Sequence, residues 1–140
     1  MYSANVFEPF GYINDLLITD FSLPSVLWGI DGDWMVNLIP PGVKFYPTDH
    51  CGVLRVMTEE VHPRVLAWTL RQEGIRRGFS RSLRASVDRI KRLTIYLPPI
   101  DAQRQVAEKV FLYEEEVEKA TRRLTELEAQ KRSIIDQYLN

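Results

Sequence analysis

The last third of the chain most constrains the fold, because it predicts one long helix with an unshielded apolar stripe. Neither proline nor glycine occurs between Ile100 and Asn140, so nothing interrupts a helix there. Apolar or small residues recur in steps of four and three, which is the spacing of a heptad seam, and Lys131 fills one slot of it. The seam positions are Val106, Val110, Tyr113, Val117, Ala120, Leu124, Leu127, Ile134 and Tyr138.

The length of this helix predicts what must cover its seam. A helix of about 38 residues, rising ~1.5 Å per residue, is roughly 55 Å long. A domain of about 100 residues has a radius of gyration of only ~13 Å, so we expect most of the helix to extend beyond it. The seam then needs another helix, in a coiled coil with a second chain or on a partner protein. The alternative is a helix that lies across its own domain.

Composition predicts one domain, residues 1–100, followed by the helix, residues 101–140. The chain is 45% hydrophobic and 11% aromatic, which is enough for a packed core. A single cysteine, Cys51, excludes an internal disulfide and a cysteine-based zinc site, and it fits a reducing cytoplasm. The first ten residues do not resemble a signal peptide, and no apolar run approaches the ~18 residues of a membrane span. We therefore expect a cytoplasmic protein.

Charge is distributed unevenly along the chain. Residues 1–54 contain one basic residue and six acids, whereas residues 55–92 contain ten basic residues and four acids. Residues 93–140 contain seven basic and nine acidic residues. A basic middle in a nearly neutral chain indicates an acidic partner, with DNA or RNA as the first candidate. A solvated helix face that neighbouring acids neutralise is the alternative.

Local patterns predict an α+β fold with a mixed or antiparallel sheet. We expect a helix that opens at His62-Pro63 and ends near Gly78, and a short helix over 87–92 with Ser86 as its N-cap. Asp101 is the expected cap of the long helix. The turn Gly29–Asp33 predicts a hairpin. The expected strands are 2–6, 10–13, 16–18, 25–28, 34–36, 52–57 and 93–97.

Two other patterns suggest chemistry and carry little weight. His50 and Cys51 have the residue types of a base and a nucleophile. Because they are adjacent in an extended stretch, however, their side chains point to opposite faces. Asp31 and Asp33 have the type of calcium ligands, but the turn lacks the further acids such a site needs. We expect structural roles for all four residues and no metal site.

The segment Gly78–Ser86 is the candidate nucleic-acid contact, because it is basic, rich in hydroxyls and turn-like. Arginine offers planar donors to phosphates and guanine edges, and serine hydroxyls also bind phosphate. The arginines before it also suit the negative end of a helix dipole, which is the structural alternative. The predicted DNA-binding residues are Arg76, Arg77, Ser80, Arg81, Ser82 and Arg84, with Lys44 and Arg55 as weaker choices.

Several stretches, in this order, resemble the specificity subunit of type I restriction-modification systems, and the resemblance spans nearly the whole chain. They are YSANV, SVLWGIDGDWMV, TDHCGVLRV, GFSRSLRAS and LPPIDAQRQVAEKV, and then a heptad helix that ends in KRSIIDQYL. The most specific part is Leu97-Pro98-Pro99, followed by Gln103 and Gln105 at the start of the long helix.

The resemblance implies a function that composition alone does not. Members of this family have two target-recognition domains, each followed by a long helix, and the helices pack antiparallel and set the distance between two half-sites on DNA. The subunit has no catalytic residues of its own. Modification subunits, which bind S-adenosylmethionine, dock on it, and restriction subunits join the complex. The chain itself would hold no cofactor.

This chain departs from the family pattern because it contains one recognition domain and one helix. The resemblance therefore implies either a fragment or a natural half-subunit that dimerises. We expect a two-fold homodimer through residues 101–140 that matches an inverted-repeat bipartite DNA site. The competing hypothesis is a protein–protein adaptor that uses its helix and binds DNA only incidentally. An enzyme is not expected, because the chain has no glycine-rich phosphate loop, metal cluster or recognisable carboxylate pair.

Overall fold

The computed structural model describes residues 1–139, and its architecture is α+β. Three strands, β1 (Ser25–Gly29), β2 (Val36–Ile39) and β3 (Cys51–Arg55), precede three helices, α1 (Pro63–Arg77), α2 (Val87–Lys91) and α3 (Ile100–Leu139). The chain divides into two compact units, of which the first is Met1–Gln103 and the second begins at Arg104.

The sheet of the first unit is antiparallel throughout, with β1 between β2 and β3. All five residues of β1 are buried, as expected for a central strand covered on both faces. The predicted hairpin around Gly29–Asp33 is present, since Trp28 pairs with Val36 across the turn. Gly52 pairs with Trp28 on the other side. A side chain at Gly52 would lie 2.1 Å from the Trp28 ring, so this position must be glycine.

Side chains of the two sheet faces belong to two separate clusters because successive residues of β1 point in opposite directions. Val26 and Trp28 pack with residues of α1, α2 and the segment between them, including Leu70, Phe79 and Ile90. Leu27 packs with a smaller cluster, formed by Val6 near the start of the chain, Ile39 of β2, Phe45 of the loop before β3 and Cys51 of β3.

The helices begin and end close to their predicted positions. Gly78 closes α1 in the left-handed conformation, with φ of 76°, and Ser86 caps α2 by accepting a hydrogen bond from the Arg89 backbone N–H. The long helix begins at Ile100, so Asp101 lies inside its first turn and is not the cap. The Pro99 carbonyl accepts hydrogen bonds from the N–H groups of Ala102 and Gln103. These bonds place the N-terminal end of the helix before Asp101.

Several predicted strands are absent, and the expected boundaries of others shift. Residues 2–6, 10–13 and 16–18 form no strand; only Tyr2 makes an isolated bridge, to Pro47. Local hydrogen bonds occur in this region, where the backbone N–H groups of Phe7 and Leu16 donate to the side chains of Asn5 and Asp15. Residues 93–97 also form no strand, because their alternating apolar side chains pack on the core without a pairing partner. β2 begins at Val36 instead of residue 34.

Candidate nucleic-acid interface

The end of α1 turns the chain back toward the sheet. Gly78 reverses its direction, and the Phe79 backbone N–H donates to the Gly74 carbonyl at 3.0 Å. Trp34 packs against Gly74, its indole N–H donates to the Arg71 carbonyl at 2.9 Å, and its ring centroid lies 5.2 Å from that of Phe79. The basic segment that follows therefore starts from a fixed point beside the hairpin turn.

Residues Ser80–Ser86, which we call the arginine loop, are fixed by backbone hydrogen bonds to the turn between β1 and β2. The Ala85 N–H donates to the Ile30 carbonyl at 2.9 Å, and the Ala85 carbonyl accepts the indole N–H of buried Trp28 at 2.8 Å. The Ser80 N–H donates to the Leu83 carbonyl at 3.1 Å, which closes the loop internally. Two hydrogen bonds to Ala85 thus hold the loop in one position while its arginine side chains remain exposed.

We call residues Ile30–Asp33 the acidic turn, and its two carboxylates pair with the two arginines of the loop. Arg81 Nε lies 3.2 Å from Asp33 Oδ1, and Arg81 Nη2 lies 3.3 Å from Asp33 Oδ2. Arg84 Nη2 lies 3.3 Å from Asp31 Oδ2. His50 Nδ1 is 2.8 Å from both carboxylate oxygens of Asp31. The pairs lie at the surface, so they contribute little stability but determine the local charge.

Arg76 and Arg77, at the end of α1, share one carboxylate. Arg76 donates from Nε and Nη2 to Glu73 at 2.8 and 2.7 Å, and Arg77 Nε donates to the same carboxylate at 3.0 Å. Hydrogen bonds from Arg76 and then Arg77 lower the pKa of Glu73 to about 2. Two cations on one anion leave a net positive charge at this helix end.

The other predicted DNA-binding residues lie in different surroundings. Ser80 accepts the Leu83 N–H at 3.4 Å within the arginine loop, and Ser82 is exposed in the same loop. Arg55 belongs to β3, its side chain is 23% exposed, and its Nη2 lies 3.7 Å from Asp20. Lys44 lines a depression with Tyr12 and other residues from the start of the chain. Ser82 thus lies in the same loop as the predicted arginines Arg81 and Arg84. Lys44 and Arg55 contact other parts of the first unit.

A third set of cations, which sequence analysis did not single out, carries no neutralising partner. Within the described part of the chain, no carboxylate pairs with them, and all of them are exposed. Arg89 does donate to the Arg84 carbonyl at 2.6 Å, which leaves its charge intact. Their sequence signal was the basic balance of residues 55–92, a range that contains all of them. These residues are Arg71, Arg89, Lys91 and Arg92.

The acidic turn was also not predicted as part of the site. Its only sequence signal was the acidic balance of residues 1–54 beside the basic balance of residues 55–92. The calcium interpretation of Asp31 and Asp33 does not fit, because each carboxylate pairs with an arginine. No cluster of three or more histidine, cysteine, aspartate or glutamate residues suited to a metal ion occurs within residues 1–139.

His50 and Cys51 have separate structural surroundings. His50 pairs with Asp31 at the surface, whereas Cys51 is buried in the smaller core cluster with Val6 and Leu27. Burial raises the pKa of the Cys51 thiol to about 12, so the thiolate required of a nucleophile is scarce near neutral pH.

Along α3, the predicted seam is exposed over its whole length. Val110, the most covered of its large apolar side chains, is 38% exposed, and Tyr138 is 79% exposed. Further large apolar residues on the helix are exposed as well, namely Phe111, Leu112, Ile135 and Leu139. The large apolar residues of the seam are thus left uncovered within residues 1–139.

Comparison of the chain with protein-family models, with curated proteins and with solved structures finds no match. Among the helices described, none has the length and apolar character needed to traverse a bilayer.

Proposed function

We propose that the chain is the DNA-recognition component of a type I restriction-modification complex, with one target-recognition domain and one spacing helix. In this proposal it has no catalytic role and holds modification subunits, which bind S-adenosylmethionine, at a bipartite DNA site. The observation that carries the proposal is the arginine loop: exposed guanidinium groups on a backbone that Ala85 anchors to the sheet. Pre-positioned arginines suit the reading of duplex DNA.

The cations beyond the loop supply the charge that DNA binding needs. Arg89, Lys91 and Arg92 lie in or directly after α2 and have no carboxylate partner in the described chain. Unneutralised cations release counterions when they contact phosphate, which supplies sequence-independent affinity. We assign these three residues to the phosphate backbone. This differs from the sequence-based choice, which stopped at Arg84.

The exposed seam of α3 supports the second part of the proposal. A helix of 40 residues with large apolar side chains left exposed requires a partner, and a second copy supplies an identical seam. A two-fold dimer would carry two identical recognition domains, which suits an inverted-repeat site.

The test measures DNA affinity of the full chain by fluorescence anisotropy, with duplex DNA between 50 and 200 mM salt. Replacing two cations, Lys91→Ala/Arg92→Ala, is expected to reduce the slope of log K against log salt by about 1.8, at ~0.9 for each phosphate that is no longer neutralised. The matched control, Lys119→Ala/Arg122→Ala, removes the same charge from α3 outside the seam and is expected to leave the slope unchanged. Equal slopes for wild type and the first variant would refute the phosphate assignment.

The adaptor hypothesis has one observation in its favour, the pairing of Arg81 and Arg84 with carboxylates, which reduces the positive charge of the loop. It predicts that the wild-type chain is not retained on duplex DNA at 50 mM salt, with or without a methyltransferase partner. It also predicts that the helix still associates with another chain. Retention at 50 mM that disappears at 200 mM favours the DNA-recognition function instead.

A further inference from the structure

The pairing of Arg81 with Asp33 leaves part of the guanidinium available for a ligand. A guanidinium has five N–H donors, one on Nε and two on each terminal nitrogen. Asp33 engages Nε at 3.2 Å and Nη2 at 3.3 Å, so both donors of Nη1 and one of Nη2 remain. These remaining donors lie at the end of the fork, and the side chain is 77% exposed. Arg81 can therefore donate two parallel hydrogen bonds while it stays bound to Asp33.

The charge of the pair determines which ligand those donors favour. Seen from farther away than the separation of the two groups, the negative charge of Asp33 cancels the positive charge of Arg81. The Asp33 carboxylate also repels an approaching phosphate. The major-groove edge of guanine is uncharged and presents two acceptors, O6 and N7, in the geometry that an arginine fork matches. A guanine edge thus keeps its attraction to the paired arginine, whereas a phosphate loses most of its own.

We propose that Asp31 and Asp33 are specificity-determining positioning residues, which direct Arg84 and Arg81 to base edges and away from phosphates. The inference rests on the DNA-binding function proposed above and extends it. Both arginines lie in a loop whose backbone is bonded to the acidic turn through Ala85 and Ile30. The carboxylates and the loop backbone therefore belong to one connected structure, in which Asp33 orients the Arg81 fork through two hydrogen bonds and Asp31 contacts Arg84 through one.

The arrangement divides the basic surface into two functional sets. The paired arginines of the loop carry sequence preference with little salt dependence. The unpaired cations Arg89, Lys91 and Arg92 carry affinity without sequence preference. Substitutions in the first set should change the sequence preference, and substitutions in the second set should change the salt slope.

The experiment uses the full chain and two duplexes of about 30 base pairs. One duplex is selected from a random pool by the wild-type protein, and the other has the same composition in scrambled order. Arg81→Ala is expected to reduce the preference for the selected duplex by between about fivefold and 150-fold, with an unchanged salt slope. Arg81→Lys keeps the charge but not the fork, and is expected to lose the preference as well.

Asp33→Asn is expected to steepen the salt slope on the scrambled duplex by about 0.9 and to lower the preference.

Asp88→Asn is the matched control, because it removes an exposed carboxylate from the same basic region, and the structure gives Asp88 no arginine contact. It is expected to leave the preference unchanged. The urea midpoint of each variant shows whether it is folded. The inference is overturned if Arg81→Ala lowers the salt slope by about 0.9, or if Asp33→Asn behaves like Asp88→Asn. If the wild-type chain selects no duplex from the pool at 50 mM salt, the proposed function fails. If the wild type shows a preference that Arg81→Ala and Asp33→Asn both leave unchanged, the inference alone fails.

Discussion

The two units of the chain differ in how far their apolar side chains are buried. In the first unit, Val26, Leu27 and Leu70 are completely buried. In the second, the comparable seam residues Leu124 and Ile134 are 58% and 57% exposed. Alternation along strands lets a sheet bury both faces against helices and loops, whereas one helix has no other element of its own to cover its stripe. The first unit buries its apolar residues within itself, whereas the helix leaves its apolar stripe exposed.

The largest effect is expected in the core of the first unit. Leu70→Ala removes a fully buried side chain from the larger cluster, so the free energy of unfolding should fall by about 2–5 kcal/mol. Urea denaturation of the full chain, followed by tryptophan fluorescence, measures the change. Met57→Ala is the control, since Met57 is 81% exposed, and its effect should stay within ~0.5 kcal/mol. Similar midpoints for both variants would contradict the assigned core.

A smaller effect, confined to association, is expected on the helix. Leu124→Lys places a charge in the seam and should raise the dimer dissociation constant at least about tenfold in sedimentation equilibrium, because the ammonium group cannot be buried without a partner. The urea midpoint of the first unit should not change. Ala129→Lys adds the same charge away from the seam and should dimerise normally. A wild-type chain that stays monomeric at tens of micromolar would remove the dimer from the proposal.

The smallest expected effect is the loss of stability from the ion pairs of Glu73 as the pH falls. Glu73 accepts hydrogen bonds from Arg76 and Arg77, and its folded-state pKa is about 2 against an ordinary 4.5. A lowered pKa stabilises the fold above about pH 4.5, and this contribution is lost as the pH falls toward 2.

Glu73→Gln should therefore differ from wild type in urea midpoint at neutral pH and converge with it near pH 2. Glu118→Gln serves as the comparison on the helix, where Glu118 pairs with exposed Arg122. At neutral pH this second variant should keep the urea midpoint of the first unit, because Glu118 belongs to the second unit. A pH-independent difference for Glu73→Gln would show that packing, and not the ion pairs, accounts for its effect.

Local sequence signals predicted the helices of this protein well. Gly78 ends α1 because only glycine adopts its backbone conformation without strain, and Ser86 caps α2 because its hydroxyl accepts an orphan N–H. The hairpin followed from the turn residues Gly29–Asp33 in the same way. In each case, the physical cause lies within a few residues of the feature it produces.

The strand predictions failed where no neighbouring strand was present to pair with the predicted stretch. The alternation of residues 93–97 is real, since Leu93, Ile95 and Leu97 pack against the core, but no neighbouring strand completes a ladder there. Apolar alternation reports burial of one face and does not specify hydrogen bonding. The same limit applies to the stretches before residue 20, where the isolated bridge of Tyr2 to Pro47 is the only pairing within the described residues.

Sequence reasoning predicted the arginines of the candidate site but not the aspartates that pair with them. Residues 76–84 are visibly basic in the sequence, yet Asp33 lies 48 positions from Arg81, and Asp31 lies 53 positions from Arg84. No periodicity or short motif connects residues at that separation. Only the folded chain shows that these arginines are paired while Lys91 and Arg92 are not.

By itself, the sequence determined the uninterrupted helix with its heptad seam, the ends of α1 and α2, and the hairpin turn, because each depends on contacts between near neighbours. Tertiary structure alone decided which charges neutralise one another and which alternating stretches become strands. Both depend on where the backbone brings distant residues, and in this chain Ala85, Ile30 and Trp28 set that position through two hydrogen bonds.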